Sequence, residues 1–261
     1  MEKRLIDLDH SLIPAQFHGI LEGAAVYDSS CSREAQVYYI QKDGGLFLKK
    51  APKGSLQKEA ALGDYFCKKG LAPEVLAYES LEEDWLLTAE GRGQDCISPM
   101  YMADPQRLCD TTAELLRMLH DTDHAGCPVP DRTADYLATA KKNYYAKAYD
   151  LELFPDNWGY ATPEEAWAEL EQSGKYLKAD TLLHGDYCLP NILLDNWQFG
   201  SFIDLGTGGV GDRHVDLFWG VWSLQFNLKT DRYGERFLDV YGREKINTDI
   251  FRTVAAAEVF G

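Results

Sequence analysis

The pattern of apolar and polar residues divides the chain into a strand-rich first part and a helical second part. In the first part short apolar runs alternate with polar residues, and Asp43-Gly44-Gly45 is a strong signal for a hairpin turn. Residues 55–69 have apolar positions at helical spacing, and Gly70 marks the end of this helix. The predicted strands are residues 35–40, 46–49, 75–78 and 85–88. This order predicts a small antiparallel sheet with one helix.

The periodicity of the second part is mainly helical. Asp104-Pro105 places a capping residue before a proline, which is typical of a helix start. The predicted helices are residues 105–120, 136–149, 163–170, 214–228, 233–241 and 248–260. The Gly-rich segment 89–93 separates the two patterns, so we expect one domain of residues 1–91 and a second of residues 92–261.

Composition and charge narrow the range of partners. The 26 basic and 42 acidic residues give a net charge of −16, and 45% of the residues are hydrophobic. This balance disfavours nucleic acid and anionic membranes, which attract positive surfaces, and it favours a polycationic small molecule. No apolar run approaches the roughly 20 residues that a membrane span requires, and the first residues lack the apolar core of a signal peptide. The six cysteines form no CxxC pair, which is typical of free thiols. We expect a cytoplasmic protein that is a monomer or a weak dimer.

One segment has the spacing of a phosphoryl-transfer site. HGD at residues 184–186 is followed by Asn191, and an apolar run then ends in DLG at residues 204–206. In kinases an aspartate at the position of Asp186 receives or orients the proton of the attacking hydroxyl, and the asparagine and second aspartate hold magnesium. Oxygen ligands suit Mg²⁺ because it is a hard cation. We predict Asp186 as the catalytic residue and Asn191 and Asp204 as metal ligands, with all three on one edge formed by the flanking strands.

The order of the elements together with this motif predicts the fold. A strand-rich lobe with one helix, a short connector and a helical lobe with the catalytic motif indicate an α+β, bilobal protein-kinase-like fold. Its N-lobe would hold a small antiparallel β-sheet and its C-lobe would be mainly helical. In such a fold Lys49, at the end of its strand, contacts the nucleotide phosphates, and Glu59 on the following helix holds the lysine by an ion pair.

Four further residues are candidates for nucleotide binding. Phe47 precedes the lysine by two positions and shares its face of the strand, so it can stack on adenine or belong to the lobe core. Backbone groups of Ala89 and Gly91 on the connector can pair with adenine. The polar loop of residues 27–33, which includes Ser32, stands where protein kinases have a Gly-rich loop, so its N–H groups and hydroxyls would cover the phosphates.

The segment HGDYCLPNILLDNWQFGSFIDLGTGGVGDRHVDL at residues 184–217 closely resembles the signature region of bacterial aminoglycoside 3′-phosphotransferases. The likeness covers nearly the whole chain. It extends through LFLK at 46–49, LLTAEG at 86–91, DNW at 156–158 and AEVF at 257–260. The resemblance implies ATP or GTP as the phosphoryl donor, magnesium as the metal, and a sugar hydroxyl of a cationic aminoglycoside, the 3′-hydroxyl, as the acceptor.

The same resemblance implies a set of acidic groups around the ammonium groups of the substrate. It assigns substrate contacts to Asp156 and Glu258, to the catalytic Asp186, and to the terminal Phe260 and Gly261. Residues 150–171 include several acids and no lysine or arginine, which fits a cationic ligand.

Several positions depart from the family pattern. Family members usually have arginine after IDxG, where this chain has Thr207. They often have arginine and glutamate on the following helix, where Trp222 and Phe226 align. They commonly end at phenylalanine, whereas Gly261 follows Phe260 here. None of these departures touches the phosphoryl-transfer residues. Together they leave the identity and breadth of the substrate open.

Two other functions remain open from the sequence. A kinase of the same fold that acts on another hydroxylated metabolite or antibiotic would keep the phosphoryl-transfer residues and differ at the substrate positions. A catalytically silent ligand-binding protein would be expected to lack the lysine, the aspartate or a metal ligand, and all of these are present. An assay of ATP consumption separates the silent protein from both kinases.

Overall fold

The computed structural model describes residues 3–31, 35–42, 44–149 and 159–261, with the backbone alone for His10. The chain forms two compact units. Unit 1 comprises Met1–Cys96 and Pro190–Gly206, and unit 2 comprises Ile97–Leu189 and Thr207–Gly261.

The described residues form strands and α-helices in the following order. The strands are β1 (Arg4–Ile6), β2 (Ala25–Asp28), β3 (Gln36–Gln41), β4 (Leu46–Pro52), β5 (Val75–Ser80), β6 (Glu83–Ala89), β7 (Gln94–Asp95), β8 (Thr181–Leu183), β9 (Ile192–Asp195), β10 (Gln198–Phe202) and β11 (Gly209–Gly211). The helices are α1 (His18–Leu21), α2 (Gln57–Lys68), α3 (Pro99–Met102), α4 (Pro105–His120), α5 (Arg132–Ala146), α6 (Pro163–Ser173), α7 (His214–Leu228), α8 (Gly234–Gly242) and α9 (Thr248–Glu258). None of these helices has the length and apolar character needed to span a membrane.

The first six strands of unit 1 form one antiparallel sheet in the order β1-β2-β3-β4-β6-β5. Side chains alternate between the two faces of a strand. In β4, Leu46 and Leu48 are therefore buried in a core with Trp85, while Lys49 is directed to the opposite face. On that opposite face Ala60 of α2 packs in a second apolar cluster. The alternation thus places Lys49 on the face of the sheet that carries α2.

A buried carboxylate fixes the connection between β4 and α2. Asp84 in β6 is fully buried, and its Oδ2 accepts hydrogen bonds from the backbone N–H of Leu56 at 3.0 Å and from the Tyr78 hydroxyl at 3.0 Å. Its Oδ1 accepts from the Ser80 hydroxyl at 2.7 Å. Burial raises the pKa of Asp84, but these hydrogen bonds outweigh burial and hold the pKa below its usual value. Asp84 therefore belongs to the strand, although its acidic neighbourhood indicates a surface turn in the sequence.

A second sheet in unit 1 explains where the units divide. It has the order β10-β9-β7, and β7 pairs with β9 across about a hundred residues of chain. The pairing brings residues 190–206 into unit 1 and extends the first part of that unit to Cys96. The sequence predicted two continuous domains, residues 1–91 and 92–261. It did not predict that residues 190–206 belong with the first part of the chain.

Unit 2 is built mainly from helices. The predicted cap at Asp104 is present, since its side chain accepts from the backbone N–H of Arg107 at 3.2 Å. Thr162 caps α6 in the same way and accepts from the backbone N–H of Glu165 at 3.2 Å. Helices α5, α6, α7 and α9 surround one apolar core. Its members include Tyr136, Ala166, Leu170, Val215, Val254 and Phe260.

The strands that flank the catalytic motif do not form one common sheet. Strand β8, which precedes HGD, pairs with β11 in a two-stranded sheet of unit 2, whereas β9 and β10 pair with each other in unit 1. The expectation of one shared strand edge for Asp186, Asn191 and Asp204 is therefore wrong, because β8 takes β11 as its partner. The six cysteines are free thiols.

Candidate active site

An ion-pair network in unit 1 joins three of the predicted site residues. The Nζ of Lys49 lies 2.8 Å from Oε2 of Glu59 and 2.9 Å from Oδ1 of Asp204. Burial lowers the pKa of Lys49, but the two carboxylates outweigh burial and hold the pKa above its ordinary value. The lysine is therefore a fixed positive charge at neutral pH. The side chain of Glu59 is 15% exposed, whereas that of Asp204 is 54% exposed.

The secondary structure accounts for this network. Lys49 lies in β4, Glu59 lies in the first turn of α2, and the β4–α2 connection is fixed by the buried Asp84. Gly206 follows Asp204 closely and lies beside Glu59, since a Cβ added at this glycine would lie 3.5 Å from Oε2 of that glutamate. The DLG segment therefore passes next to α2.

The β9–β10 hairpin brings Asn191 close to Asp204. The register pairs Phe202 with Ile192, and the next backbone hydrogen bond runs from the N–H of Ile203 to the carbonyl oxygen of Asn191 at 3.0 Å. Asn191, just before β9, and Asp204, shortly after β10, thus lie at the same end of the hairpin. The Asp204 backbone has a left-handed φ of 61°, which is unusual for a residue other than glycine. Such conformations persist where the surrounding structure fixes them, and they are concentrated at functional sites.

The predicted adenine-stacking residue Phe47 belongs to an aromatic group that the sequence did not reveal. Tyr39 lies directly opposite Phe47 in the β3–β4 register, and their ring centroids are 5.2 Å apart. The Tyr39 hydroxyl donates to Oε2 of Glu90 at 3.0 Å, and the Lys3 ammonium donates to Oε1 at 2.9 Å. The same ammonium lies 3.1 Å from the Tyr39 ring centroid. The hairpin turn could have predicted the Tyr39–Phe47 pair, but no local pattern links Lys3 to Glu90.

The connector residues Ala89 and Gly91 were predicted to pair with adenine through their backbone groups. The N–H of Ala89 donates to the carbonyl of Glu74 at 2.9 Å, so this N–H is already used within the sheet. A side chain at Gly91 would displace the side chain of Leu193, because an added Cβ would lie 2.6 Å from Leu193 Cδ1. Ser32, predicted to cover the phosphates, lies outside the described residues.

Asp186 follows His184 and Gly185 in a loop of unit 2. Hydrogen bonds from the backbone of these two residues hold the loop in place. The N–H groups of His184 and Gly185 donate to the two carboxylate oxygens of Asp216, each at 2.7 Å. Gly185 has a φ of 87°, and an added Cβ would collide with the carbonyl oxygen of Thr207, so glycine is required there. Burial raises the pKa of Asp216, but the His120 side chain and these N–H groups hold it below the usual range.

Three further contacts fix the same loop in unit 2. The Nε2 of His120 lies 3.1 Å from Oδ2 of Asp216. The Tyr187 hydroxyl donates to the carbonyl of Thr112 at 2.7 Å, and the Leu189 N–H donates to the Ser223 hydroxyl at 2.9 Å. The position of Asp186 is therefore set by α4, which precedes it in the sequence, and by α7, which follows it.

Glu258 is a partly buried acid at the end of α9. Its Oε1 accepts from the Tyr136 hydroxyl at 2.7 Å and from Nε1 of Trp219 at 3.2 Å. Burial raises the pKa of Glu258 above its ordinary value, although Tyr136, Arg132 and Trp219 act against this shift. The negative charge of Asp186, the predicted catalytic residue, also raises the pKa of Glu258.

The other predicted substrate residues have different surroundings. The ring of Phe260 is fully buried and lies 5.4 Å from that of Tyr144, and its carbonyl accepts from the Asn143 amide at 2.8 Å. Its side chain therefore belongs to the core. Gly261 is exposed, and its N–H donates to the carbonyl of Glu258 at 3.2 Å. Asp156 lies outside the described residues.

An arginine from another element contacts Thr207. Nε of Arg132, at the start of α5, donates to the carbonyl oxygen of Thr207 at 2.8 Å. The guanidinium lies 4.5 Å from the ring centroid of Tyr136, the residue that bonds Glu258. No local motif identifies Arg132, because its partner is 75 residues away in the chain.

Comparisons with known proteins agree with this geometry. A sequence model of the phosphotransferase enzyme family matches residues 32–253. A protein of Lactococcus lactis subsp. lactis named probable aminoglycoside 3′-phosphotransferase is 46% identical over 249 residues, which are 95% of each chain.

Solved structures show the same fold. The structure of an aminoglycoside-3′-phosphotransferase of type VIII has a TM-score of 0.72 at 24% identity, covering 99% of this chain and 94% of that one. Aminoglycoside phosphotransferase APH(3″)-Id from Streptomyces rimosus, in complex with ADP and streptomycin, has a TM-score of 0.72 at 20% identity, covering 98% of this chain and 100% of that one. The predicted α+β, protein-kinase-like fold is confirmed. The chain therefore belongs to the phosphotransferase enzyme family and, within it, to the aminoglycoside 3′-phosphotransferases.

Proposed function

We propose that this enzyme transfers the γ-phosphoryl group of ATP, with magnesium, to the 3′-hydroxyl of a cationic aminoglycoside in the cytoplasm. The observation that carries the proposal is the Lys49 ammonium between Glu59 and Asp204, 2.8 Å and 2.9 Å from their oxygens. This arrangement presents a fixed cation for phosphate oxygens next to a predicted metal ligand.

The donor set of unit 1 fits a nucleotide with magnesium. The Asp204 carboxylate, which is 54% exposed, and the Asn191 side chain supply hard oxygen atoms on one hairpin. Mg²⁺ is usually held by one or two carboxylates together with substrate phosphates and waters. When bound, the metal neutralises charge on the phosphate oxygens. The ammonium of Lys49 would bind the phosphates, and the ring of Phe47 would stack on the adenine of the nucleotide.

The residues of unit 2 suit the acceptor part of the reaction. The hydroxyl oxygen of the acceptor forms a bond to the γ-phosphorus while the bond from that phosphorus to the bridging oxygen of ADP breaks. The hydroxyl proton passes to the carboxylate of Asp186, and the products are ADP and a phosphate monoester. A base is effective only when it is positioned for the proton that it takes. The backbone bonds of His184 and Gly185 to Asp216 supply this positioning.

The acceptor is proposed to be cationic because of the acids near the catalytic residue. Glu258 is held by two donors on one oxygen and is electrostatically coupled to Asp186. Ammonium groups on the substrate would stabilise both negative charges. The net charge of −16 also attracts a cationic substrate over longer distances. The complex of the Streptomyces rimosus relative with ADP and streptomycin supports a nucleotide and an aminoglycoside as the two ligands.

A second candidate is a kinase of the same fold that acts on another hydroxylated metabolite or antibiotic. It is favoured by Thr207, Trp222 and Phe226, uncharged residues at positions where the family resemblance implies charged side chains. Such an enzyme would share the donor site and differ in the acceptor.

A coupled assay of ADP release across a panel of aminoglycosides and other hydroxylated amines tests the proposal. We expect turnover with aminoglycosides, and mass spectrometry should show the addition of one phosphate to the product. An aminoglycoside that lacks the 3′-hydroxyl is the matched control and should not react. Turnover with only non-aminoglycoside acceptors would establish the second candidate, and turnover of the control would show that another hydroxyl is modified.

A further inference from the structure

Hydrogen bonds in unit 2 lead from the carboxylate of Asp216 to the guanidinium of Arg213. Nε2 of His120 lies 3.1 Å from Oδ2 of Asp216, and Nδ1 of the same ring lies 2.9 Å from the Tyr241 hydroxyl. Nη1 of Arg213 donates to that hydroxyl at 3.3 Å. The side chains of His120, Asp216 and Tyr241 are fully buried. We call these four side chains the polar network.

The two ends of the polar network fix the direction of each hydrogen bond within it. A guanidinium has only donors, so the Tyr241 oxygen must accept from Arg213. An ionised carboxylate has only acceptors, so Nε2 of His120 must carry the proton that it shares with Asp216. Nδ1 of the neutral imidazole is then an acceptor, and the hydroxyl proton of Tyr241 is left to donate to it. All three bonds therefore run from Arg213 toward Asp216.

The surroundings of the two central groups keep both of them neutral. Burial lowers the pKa of His120, and the positive charge of Arg213 acts in the same direction. The negative charges of Asp216 and Asp121 act against this shift without outweighing it. Burial raises the pKa of Tyr241 to about 12. At neutral pH the ring therefore has one proton and the hydroxyl keeps its own.

The catalytic loop is connected to Arg213 by two routes. Nη2 of Arg213 donates to Oγ1 of Thr181 at 3.1 Å, and Thr181 begins β8, the strand that ends just before His184. Asp216 accepts from the backbone N–H groups of His184 and Gly185, each at 2.7 Å. The strand before the loop and the loop itself thus both depend on the same guanidinium.

We propose that Tyr241 and Arg213 are positioning residues, which fix the tautomer of His120 and thereby the loop that carries Asp186. With the proton on Nδ1 instead, the lone pair of Nε2 would face the carboxylate of Asp216 and repel it. Asp186 would keep its charge but lose its alignment with the acceptor hydroxyl. A misplacement of about 1 Å can cost about a hundredfold in rate. The inference rests on the proposed function and adds to it two residues outside the HGD and DLG motifs.

Steady-state kinetics of Tyr241→Phe test this role. The change removes only the hydroxyl, so Nδ1 of His120 loses its donor. We expect kcat with an aminoglycoside that the wild-type enzyme phosphorylates to fall by roughly fivefold to fiftyfold, because alignment of the base matters in the transition state. The KM values of both substrates should stay within about twofold, since the network binds neither of them.

Tyr160→Phe is the matched control for this variant. Tyr160 is also a buried tyrosine of unit 2, and its hydroxyl donates to the carbonyl of Arg252 at 2.8 Å, outside the polar network. The control loses one hydrogen bond of the same kind. Its kcat should stay at the wild-type value.

The pH profile of kcat separates positioning from a general loss of stability. Arg213→Gln keeps a donor for Tyr241 but removes the charge that disfavours a protonated His120, so the pKa of His120 should rise. A doubly protonated ring would draw the charge of Asp216 away from the loop. As the pH falls, kcat should therefore decline at a higher pH than in the wild-type enzyme. Arg213→Lys keeps the charge and should restore the wild-type profile.

Nitrogen-15 NMR of the histidine rings observes the tautomer directly. The chain has six histidines, and the signals of His120 are those that disappear in His120→Gln. In the wild-type protein at neutral pH we expect a proton on Nε2 and a hydrogen-bonded, unprotonated Nδ1. In Tyr241→Phe the Nδ1 signal should lose the shift that its hydrogen bond causes.

The outcomes separate this inference from the proposed function. If the wild-type enzyme phosphorylates no aminoglycoside, the proposed function fails, whereas the NMR spectrum still tests the polar network. A proton on Nδ1 of His120 in the wild-type protein would overturn the inference. So would a wild-type kcat in Tyr241→Phe, or an equal loss of kcat in Tyr160→Phe. If Tyr241→Phe does not fold, the wild-type spectrum and the pH profile of Arg213→Gln decide, and an unchanged profile overturns the inference.

Discussion

At the scale of single residues, the site assigns different tasks to the two aspartates of the motif. Asp186→Ala should lower kcat by at least about a hundredfold, the usual size of a general acid–base contribution. Nucleotide affinity should remain close to that of the wild-type enzyme, because Asp186 accepts a proton and is not predicted to bind phosphate. Single-turnover kinetics and calorimetry with ATP measure the two quantities. A kcat within a few-fold of the wild-type value would remove Asp186 from the mechanism.

Asp204→Ala provides the contrasting variant. It removes a predicted magnesium ligand and one of the two carboxylates that contact Lys49 at 2.9 Å or less. Activity should be lost, and the dependence of ATP affinity on magnesium should weaken strongly. Unchanged magnesium-linked binding in calorimetry would show that Asp204 is not a ligand.

The proposed role of Glu258 in substrate binding predicts that the aminoglycoside KM depends on pH. Burial raises its pKa, so the carboxyl group takes up a proton sooner than an exposed glutamate as the pH falls. The aminoglycoside KM should therefore rise as the pH falls toward and through this raised pKa, while the KM for ATP follows a different profile. Tyr136→Phe removes a hydrogen bond that stabilises the charged form. The rise in KM should then begin at a higher pH.

The groups around Glu258 define the control for this experiment. Tyr136, Trp219 and Arg132 favour its charged form, and Asp186 opposes it. Tyr160→Phe removes another tyrosine hydroxyl of unit 2, which donates to the carbonyl of Arg252 at 2.8 Å and does not contact the acid. This control should keep the wild-type pH profile. Identical profiles for both variants would show that Glu258 does not govern substrate binding.

At the scale of elements, α7 holds the catalytic loop through one buried carboxylate. Asp216→Asn leaves an N–H group of the loop poorly paired and removes the charge next to His120, so it should destabilise the protein by on the order of 3 kcal/mol. The pKa of Asp216 is held below its usual value. Its contribution to stability is therefore present at neutral pH and is lost as the pH falls through the depressed pKa.

Chemical denaturation and kcat together test this role. Asp216→Asn should lower both, because the misplaced loop carries Asp186. Asp110→Asn is the matched control, since it breaks the ion pair of Asp110 with Arg236, whose side chain is 42% exposed. The control should leave stability and kcat nearly unchanged. Equal effects of the two changes would mean that the buried carboxylate has no special role.

The elements also show what a sequence pattern can and cannot predict. The predicted bounds of α7 match the structure at His214–Leu228, because its apolar periodicity is strong and a long helix depends mainly on local residues. Strands β1 and β7 have three and two residues, which is too short for an alternation to be visible. The ion pair of Lys49 with Glu59 was predicted because both lie on neighbouring elements. The contact of Arg132 with Thr207 was not, since it depends on tertiary packing.

At the scale of the whole molecule, local sequence patterns do not predict that residues 190–206 return to unit 1. Strand β7 selects β9 as its partner, and this non-local pairing assigns residues 190–206 to unit 1. The boundary at residue 91 follows composition, which records a change from strands to helices and contains no information on later pairing. The two carboxylates of the motif consequently belong to different units, with Asp186 in unit 2 and Asp204 in unit 1.

The net charge of −16 should act with opposite sign on the two proposed substrates. A polycationic aminoglycoside is attracted to the molecule and ATP is repelled, and both effects are screened as salt is added. The screening length falls from about 30 Å at about 0.01 M to about 8 Å at about 0.15 M ionic strength. Over this range kcat/KM for aminoglycosides should fall steeply, while kcat/KM for ATP at saturating magnesium should stay level or rise.

The comparison of the two substrates is the internal control, because a general effect of salt on the enzyme would change both values in the same direction. Glu258→Gln should raise the aminoglycoside KM at every salt concentration and make its salt dependence less steep, since one of the screened charges is removed. The ATP values should not change with this substitution. If kcat/KM for aminoglycosides were independent of salt, attraction between opposite charges would not drive recognition. The acceptor would then be a less cationic molecule.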